Sequence, residues 1–271
     1  MKTDRGASHF GKRVRQTVTT YRNFPRVFLD LARAETKWRP DEVTYRLRNG
    51  LTVVTPNADG ARFPLYEIFS DDAYRLGELC AGVDRDASVL DVGGQIGAFS
   101  LAMSGTLPQA RIHVYEASPT SAEYIARNIA ANALGSRVTV HASAMAGETG
   151  TFTFVDSGDA SGHNGLTAPE GLGSEVTVPA TTFDEAVKSA GGPVQIVKMD
   201  VEGAEYDIIL RSDPASWADV RKVVMEYHPV EGHSLEELTD FFAAVGITSV
   251  SHEPGTRAGL GVMWLSRAAA R

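Results

Sequence analysis

Residues 89–116 constrain the fold more than any other stretch: V-L-D-V-G-G-Q-I-G-A-F-S, a helix-like segment, then I-H-V-Y-E. An apolar run through Asp91, a glycine-rich turn, an amphipathic segment and a second apolar run ending in Glu116 make one βαβ unit. Gly93, Gly94 and Gly97 lack a Cβ, so the turn is free to adopt positive φ and a ligand can approach the backbone closely. Glu116 ends the second strand beside the carboxyl end of the first, where a carboxylate accepts hydrogen bonds from both hydroxyls of a ribose.

The glycine spacing selects the nucleotide. A dinucleotide fingerprint, G-x-G-x-x-G, sets a pyrophosphate on a helix N-terminus. Here the pattern is D-x-G-x-x-x-G, and an acid two residues before the first glycine repels a diphosphate while suiting a ligand with an α-amino group. S-adenosylmethionine is such a ligand, and a nicotinamide dinucleotide is the poorer match. The expected contacts are Asp91, Gly93, Gly94, Gln95 and Gly97 in the turn, Glu116 and Ala117 after the second strand, and Ser143 and Ala144 after the third.

The chain has 271 residues, enough for one large domain with an appendage, and its 43% hydrophobic and 22% charged content is that of a globular protein. No run approaches the roughly 18 apolar residues that span a bilayer. A single cysteine, Cys80, makes no internal disulfide and sits in an apolar pattern, so it reads as a small buried hydrophobe in a cytoplasmic protein. Residues 1–40 hold ten Lys or Arg against three acids, +7 in a chain of net −8, which leaves −15 on the remainder. The positives alternate with Val14, Val18, Tyr21, Phe24, Val27, Phe28 and Leu31 at helical steps, with a break near Pro25. This is a helical arm that packs on the body or on a second copy of the chain; an acidic body disfavours nucleic acid, and no membrane partner is indicated.

The segment 43–55 alternates around Asn49-Gly50 and predicts a β-hairpin. Residues 62–70 and 71–81 read as two short helices forming a lid, which brings Glu67 and Tyr74 toward the sheet edge as further cofactor contacts. The arm and hairpin occupy 1–60; a single α/β domain follows over 61–271. Strand and helix then alternate as in a Rossmann-like, doubly wound, mostly parallel sheet: strands near 88–92, 111–115, 138–142, 194–199 and 220–227, and helices near 96–105, 119–132, 181–190, 203–211 and 234–244. An antiparallel hairpin, 247–252 with 260–266, closes the edge. Residues 151–155 and 175–178 predict a second strand pair, and the glycine-rich loop between them offers His163 and Asn164 to a polyhydroxylated substrate.

A second motif, V-K-M-D-V-E-G-A-E at 197–205, carries Lys198, Asp200 and Glu202 past a strand's carboxyl end, and V-V-M-E-Y-H-P sets Glu226 and His228 at the same level. Two carboxylates among apolar residues require partners or a ligand. Lys198 and Glu202 read as substrate contacts, and Glu205 as a helix cap. The chain resembles the FkbM family of S-adenosylmethionine-dependent methyltransferases over residues 60–230. The resemblance rests on D-V-G-G-Q-I-G, Y-E-A-S-P, N-I-A-A-N, T-T-F-D, K-M-D-V-E-G-A-E and M-E-Y-H, and departs from the family at Gly94-Gln95, where Ala-Asn is commoner. It implies methylation of a hydroxyl on a sugar or natural-product intermediate. Within it, His228 is the expected base, with Asp200 and Glu226 beside it. A divalent cation on Asp200 and Glu226 is the alternative, not the favoured one.

Overall fold

In the computed structural model, the described residues are 3–156, 158, 174–255 and 259–267. Two helices open the chain, α1 (Thr3–Thr20) and α2 (Phe24–Ala32), with Pro25 in the first turn of α2, where its missing N–H is no loss. Strands β1 (Glu42–Arg46) and β2 (Thr52–Pro56) form the hairpin, paired antiparallel from Glu42↔Pro56 to Arg46↔Thr52. The lid follows as α3 (Asp59–Phe69) and one turn of helix, α4 (Leu76–Leu79).

The core then runs β3 (Ser88–Val92), α5 (Ala98–Thr106), β4 (Arg111–Glu116), α6 (Pro119–Ala131), β5 (Val138–Ala142), β6 (Ala144–Met145), β7 (Gly150–Asp156), β8 (Ser174–Thr181), α7 (Phe183–Ser189), β9 (Val194–Met199), α8 (Glu205–Leu210), β10 (Lys222–Tyr227), α9 (Leu235–Ala244), β11 (Ile247–Pro254) and β12 (Gly261–Arg267). The main sheet has the order β11-β12-β10-β9-β3-β4-β5, and β12 runs antiparallel to both neighbours. Strand order reverses between β3 and β9, the crevice where open α/β sheets bind ligands. The doubly wound sheet and its antiparallel edge hairpin are those expected. The ribbon β7–β8 is also present and forms a small sheet with β6, a strand too short to show a period in the sequence.

Both sheet faces are covered, which is why the central strands read as unbroken apolar runs. On one face Val89, Ile112, Val114 and Ile196 pack with Tyr21, Val27, Val43, Tyr45 and Val53, so the first 60 residues contribute to the same core as the sheet. On the other, Leu90, Val197, Met199 and Met225 pack with Phe183, Trp217, Leu238 and Phe242. The run N-I-A-A-N gains a physical meaning here. Asn128 exchanges hydrogen bonds with Val54 N and O at 2.8 and 3.0 Å, and Asn132 does the same with Thr52 at 2.9 and 2.7 Å, so one amide on α6 and one at its C-cap satisfy the open edge of β2.

The lid departs from expectation. Residues 71–81 are not one helix, because Asp72 and Arg75 both have φ of +50°. The Arg75 guanidinium is held elsewhere, on Glu253, on Ser251 at 3.2 Å and over the Trp264 ring at 4.1 Å, and these contacts outweigh local helix propensity. On the other side α1 grips the lid through Lys12 and Gln16 to Asp71 (3.0 and 2.7 Å) and Thr17 to Tyr66 (3.0 Å). No helix of the described residues is long and apolar enough to cross a membrane.

Candidate active site

The site lies at the β3/β9 crevice, where the glycine turn meets the loop after β9. Gly93 has φ of +79°, and a Cβ there would stand 1.7 Å from the backbone oxygen of Asp200. Asp200 N in turn donates to Val92 O at 3.0 Å. The two loops are thus packed backbone to backbone, and only glycine fits. Gln95, at φ +50°, donates its N–H to Glu116 Oε2 at 2.7 Å, while Ser118 N donates to Glu116 Oε1 at 2.8 Å. A carboxylate has about four acceptor positions, so each oxygen of Glu116 retains one. Burial pushes the Glu116 carboxyl up to about 7.

The Gln95 side chain has a second task. Pro64 lies inside α3 and cannot donate to Gly60 O, and Gln95 Nε2 supplies that bond at 3.2 Å. The glycine turn and the lid are therefore joined at the residue where this sequence departs from the commoner family pattern.

Two cavities meet at Gly93, Gln95 and Asp200. The larger encloses about 760 Å³, part of it open to solvent, and is lined by Glu116, Ala117, Ser143, Ala144, Phe152 and Phe154 among others. The smaller, about 330 Å³, lies under the lid and is lined by Glu67, Tyr74, Phe99, Lys198 and Asp200. Sequence reasoning missed the two phenylalanines. Their signal is the alternation of β7, which puts residues two apart on one face, but the sequence reading gives a ligand role only to the loop between the ribbon's strands; the described strands reach the Glu116 cavity. His163 and Asn164 lie outside the described residues.

Asp91 is corrected. It lines neither cavity; it is fully buried, accepts from Ser100 Oγ at 2.6 Å and pairs with Lys198 Nζ at 3.4 Å. The parallel register sets Asp91 opposite Lys198, so their side chains meet on one face. Burial raises the Asp91 pKa and Lys198 lowers it, with the net shift upward. Lys198 reaches the second cavity, but its ammonium is bonded to Gly93 O and lies 3.5 Å from Val92 O, which makes it a brace for the turn.

Beyond the crevice the carboxylates gather. Asp200, Glu226 and His228 offer ligand atoms all within 4.8 Å of one another. Glu226 accepts from Tyr74 OH at 2.9 Å. His228, 8% exposed, donates from Nδ1 to Glu205 Oε1 at 2.9 Å, and its Nε2 faces Glu202 Oε2 at 3.4 Å. Glu205 is more than the cap read from sequence: fully buried, it also accepts from Val201 N at 3.2 Å and Gly203 N at 3.1 Å, fixing the loop and the imidazole together. Burial acts to lower the His228 pKa, but Glu205, Asp200 and Glu202 outweigh it and hold the ring up to about 9. Burial, with Glu226 and Asp200 nearby, pushes Glu67 up to about 8; burial and Asp200 raise Glu202 to about 7 and lift Glu226 as well.

The methyltransferase FkbM domain model matches residues 91–247, more than half of the chain. This protein belongs to the FkbM methyltransferase family. It is 27% identical over 248 residues to the 31-O-demethyl-FK506 methyltransferase FkbM of Streptomyces tacrolimicus, covering 80% of this chain and 93% of that one. The methyltransferase sdnD of Sordaria araneosa is 28% identical over 196 residues, covering 61% of this chain and 74% of its own. Among solved structures, a putative transferase of Pyrococcus horikoshii superposes with a TM-score of 0.50 at 11% identity, over 90% of this chain and 81% of that one, a likeness of fold alone. The FkbM match begins at Asp91 and takes in the glycine turn, Glu116, Asp200 and His228.

Proposed function

We propose that this FkbM-family chain transfers a methyl group from S-adenosylmethionine to a hydroxyl of a small metabolite, a sugar or natural-product intermediate, in the cytoplasm. The observation that carries the reading is Glu116: a buried carboxylate at the end of β4, held by two backbone N–H groups, with acceptor capacity left on both oxygens in the larger cavity. The cavity suits an adenosine. Gly93 lets the Asp200 loop pack against the turn, Glu116 would receive the ribose hydroxyls, and Ala117, Ala144, Phe152 and Phe154 give an apolar wall for the base. When bound, S-adenosylmethionine supplies an electrophilic methyl on a sulfonium, and the electron pair of the broken C–S bond stays on sulfur. Gln95 and the lid residues Glu67 and Tyr74, which line the smaller cavity, would hold its methionine end.

The chain's own residues position the acceptor and manage its proton. Holding the hydroxyl oxygen in line with the methyl and excluding water supplies much of the acceleration. Asp200, Glu226 and His228 would take up the acceptor O–H proton as the oxygen lone pair forms the new O–C bond. A base there contributes about 10² to 10⁴ in rate. Held near 9, His228 is mostly imidazolium at neutral pH, so the carboxylates around it share the task of proton removal. The name of the Streptomyces relative specifies an O-demethyl substrate, which supports oxygen as the acceptor atom.

Calorimetry with S-adenosylmethionine, S-adenosylhomocysteine and NAD tests the reading. The first two should bind at micromolar affinity and NAD should not. NAD binding without S-adenosylhomocysteine binding overturns it in favour of an oxidoreductase, and tight cofactor binding without turnover on hydroxyl acceptors marks a binding protein.

A further inference from the structure

We infer that Asp200, Glu226 and His228 form a divalent-cation site beside the crevice where the two cavities meet. The first observation is geometric: two carboxylates and one imidazole, from the loop after β9 and the end of β10, bring their ligand atoms within 4.8 Å of one another. Opposite ligands of a six-coordinate Mg²⁺ or Mn²⁺ ion stand about 4.2 Å apart, so a contraction of about 0.6 Å at the widest pair seats the ion. An oxygen-rich set with one imidazole suits Mg²⁺ or Mn²⁺.

A second, independent observation is an orphaned atom. Asp200 Oδ1 is cut off from solvent and accepts no hydrogen bond, a state that costs free energy until a donor or a cation meets it. A third lies behind the cluster. His228 presents Nδ1 to the fully buried Glu205, at 2.9 Å, so its Nε2 is turned toward the cluster. A carboxylate on the far nitrogen is the arrangement that orients metal-bound histidines and raises their basicity. Lys198 offsets the charge of this cluster only in part, because its ammonium is also engaged by Asp91 and the carbonyl of Gly93. Glu202, now 3.4 Å from Nε2, is the group the ion displaces.

A cation there would bind the acceptor hydroxyl and lower its pKa, and the proton would pass to the displaced Glu202. That role rests on the methyltransferase reading; the site itself does not. The test is Mn²⁺ binding to the metal-stripped full chain, read from loss of the free-ion paramagnetic resonance signal. The same samples are titrated with S-adenosylhomocysteine, so that failure of the cation site and failure of the cofactor reading are told apart. One Mn²⁺ per chain is expected. Asp200→Asn, Glu226→Gln and His228→Ala should each weaken Mn²⁺ at least tenfold, and Glu205→Gln roughly tenfold. Glu148→Gln, an exposed change near Arg211, should leave it unaltered. Circular dichroism guards against misfolding, and Glu226→Gln keeps size and shape should the others unfold. No Mn²⁺ binding by the parent at about 1 mM overturns the proposal. So does binding that persists in folded Glu226→Gln and His228→Ala.

Discussion

The two cavities that meet at Gly93 recognise their ligands by different physics. The larger is built from backbone and sheet edge: Glu116 is fixed by two N–H groups, the turn is braced by Lys198, and aromatic rings wall one side. The smaller adjoins the acidic cluster. Glu67 and Asp200 line it and Glu226 lies close by, while Glu202 faces the larger cavity from the same cluster; Glu67, Glu202 and Glu226 have pKa values raised by burial and by their neighbours. The first reads shape and hydrogen bonds and needs no charge from its ligand. The second is poised to receive positive charge, or a developing one, because each carboxylate raises the cost of ionising the next.

The harshest way to break the comparison is to break the junction. Gly93→Val forces a Cβ into Asp200 O at a positive φ, so it should abolish S-adenosylhomocysteine binding and lower stability by about 3 kcal/mol or more, measured by calorimetry and thermal unfolding. A change confined to one cavity would show that the two loops are independent.

His228→Ala separates the two regions. It should lower kcat by about 10² to 10⁴ while the S-adenosylhomocysteine Kd moves less than about twofold. Half the parental kcat would remove His228 from the chemistry.

Titration sharpens the other side. With its carboxyl raised from 4.5 to about 7, Glu116 favours its neutral form in the fold. Its contribution to the stability of the ligand-free chain is therefore fully present below pH 4.5 and lost as pH rises through about 7. Ribose hydroxyls favour the ionised form, so affinity for S-adenosylhomocysteine should rise roughly tenfold between pH 6 and 8, with proton release on binding. In Glu116→Ala the affinity should fall about ten- to hundredfold and this pH dependence should vanish. A pH dependence that survives the substitution would place the titrating group elsewhere.

The smallest effect belongs to the ribbon. Phe152→Ala should weaken S-adenosylhomocysteine about threefold to tenfold and leave the acceptor KM unchanged, assayed by steady-state kinetics. A raised KM with unaltered cofactor affinity would assign the ribbon to the acceptor.

Much of this arrangement was readable from the chain alone, and the reason is local periodicity. Buried parallel strands read as apolar runs, helices as 3.6-residue stripes, and a glycine turn between them announces its own close approach. The turn at 93–97, Glu116 at the end of β4, and the level of Asp200, Glu226 and His228 follow from such patterns. So do the hairpin at β1–β2 and the break before Pro25. What the chain alone left open depends on partners far apart in sequence. Asp91 was read as facing a ligand, yet it meets Lys198 because β3 and β9 are neighbours in register. Glu205 was read as a cap, yet it also holds His228, 23 residues on. Gln95 mends the gap left by Pro64, and Arg75, anchored on β11, interrupts a helix that local propensity would continue. Periodicity is a property of neighbouring residues and is written in the sequence by itself. The pairing of buried charges is a property of strand order, because a buried charge takes whichever partner the sheet brings within reach, and only the tertiary structure decides that.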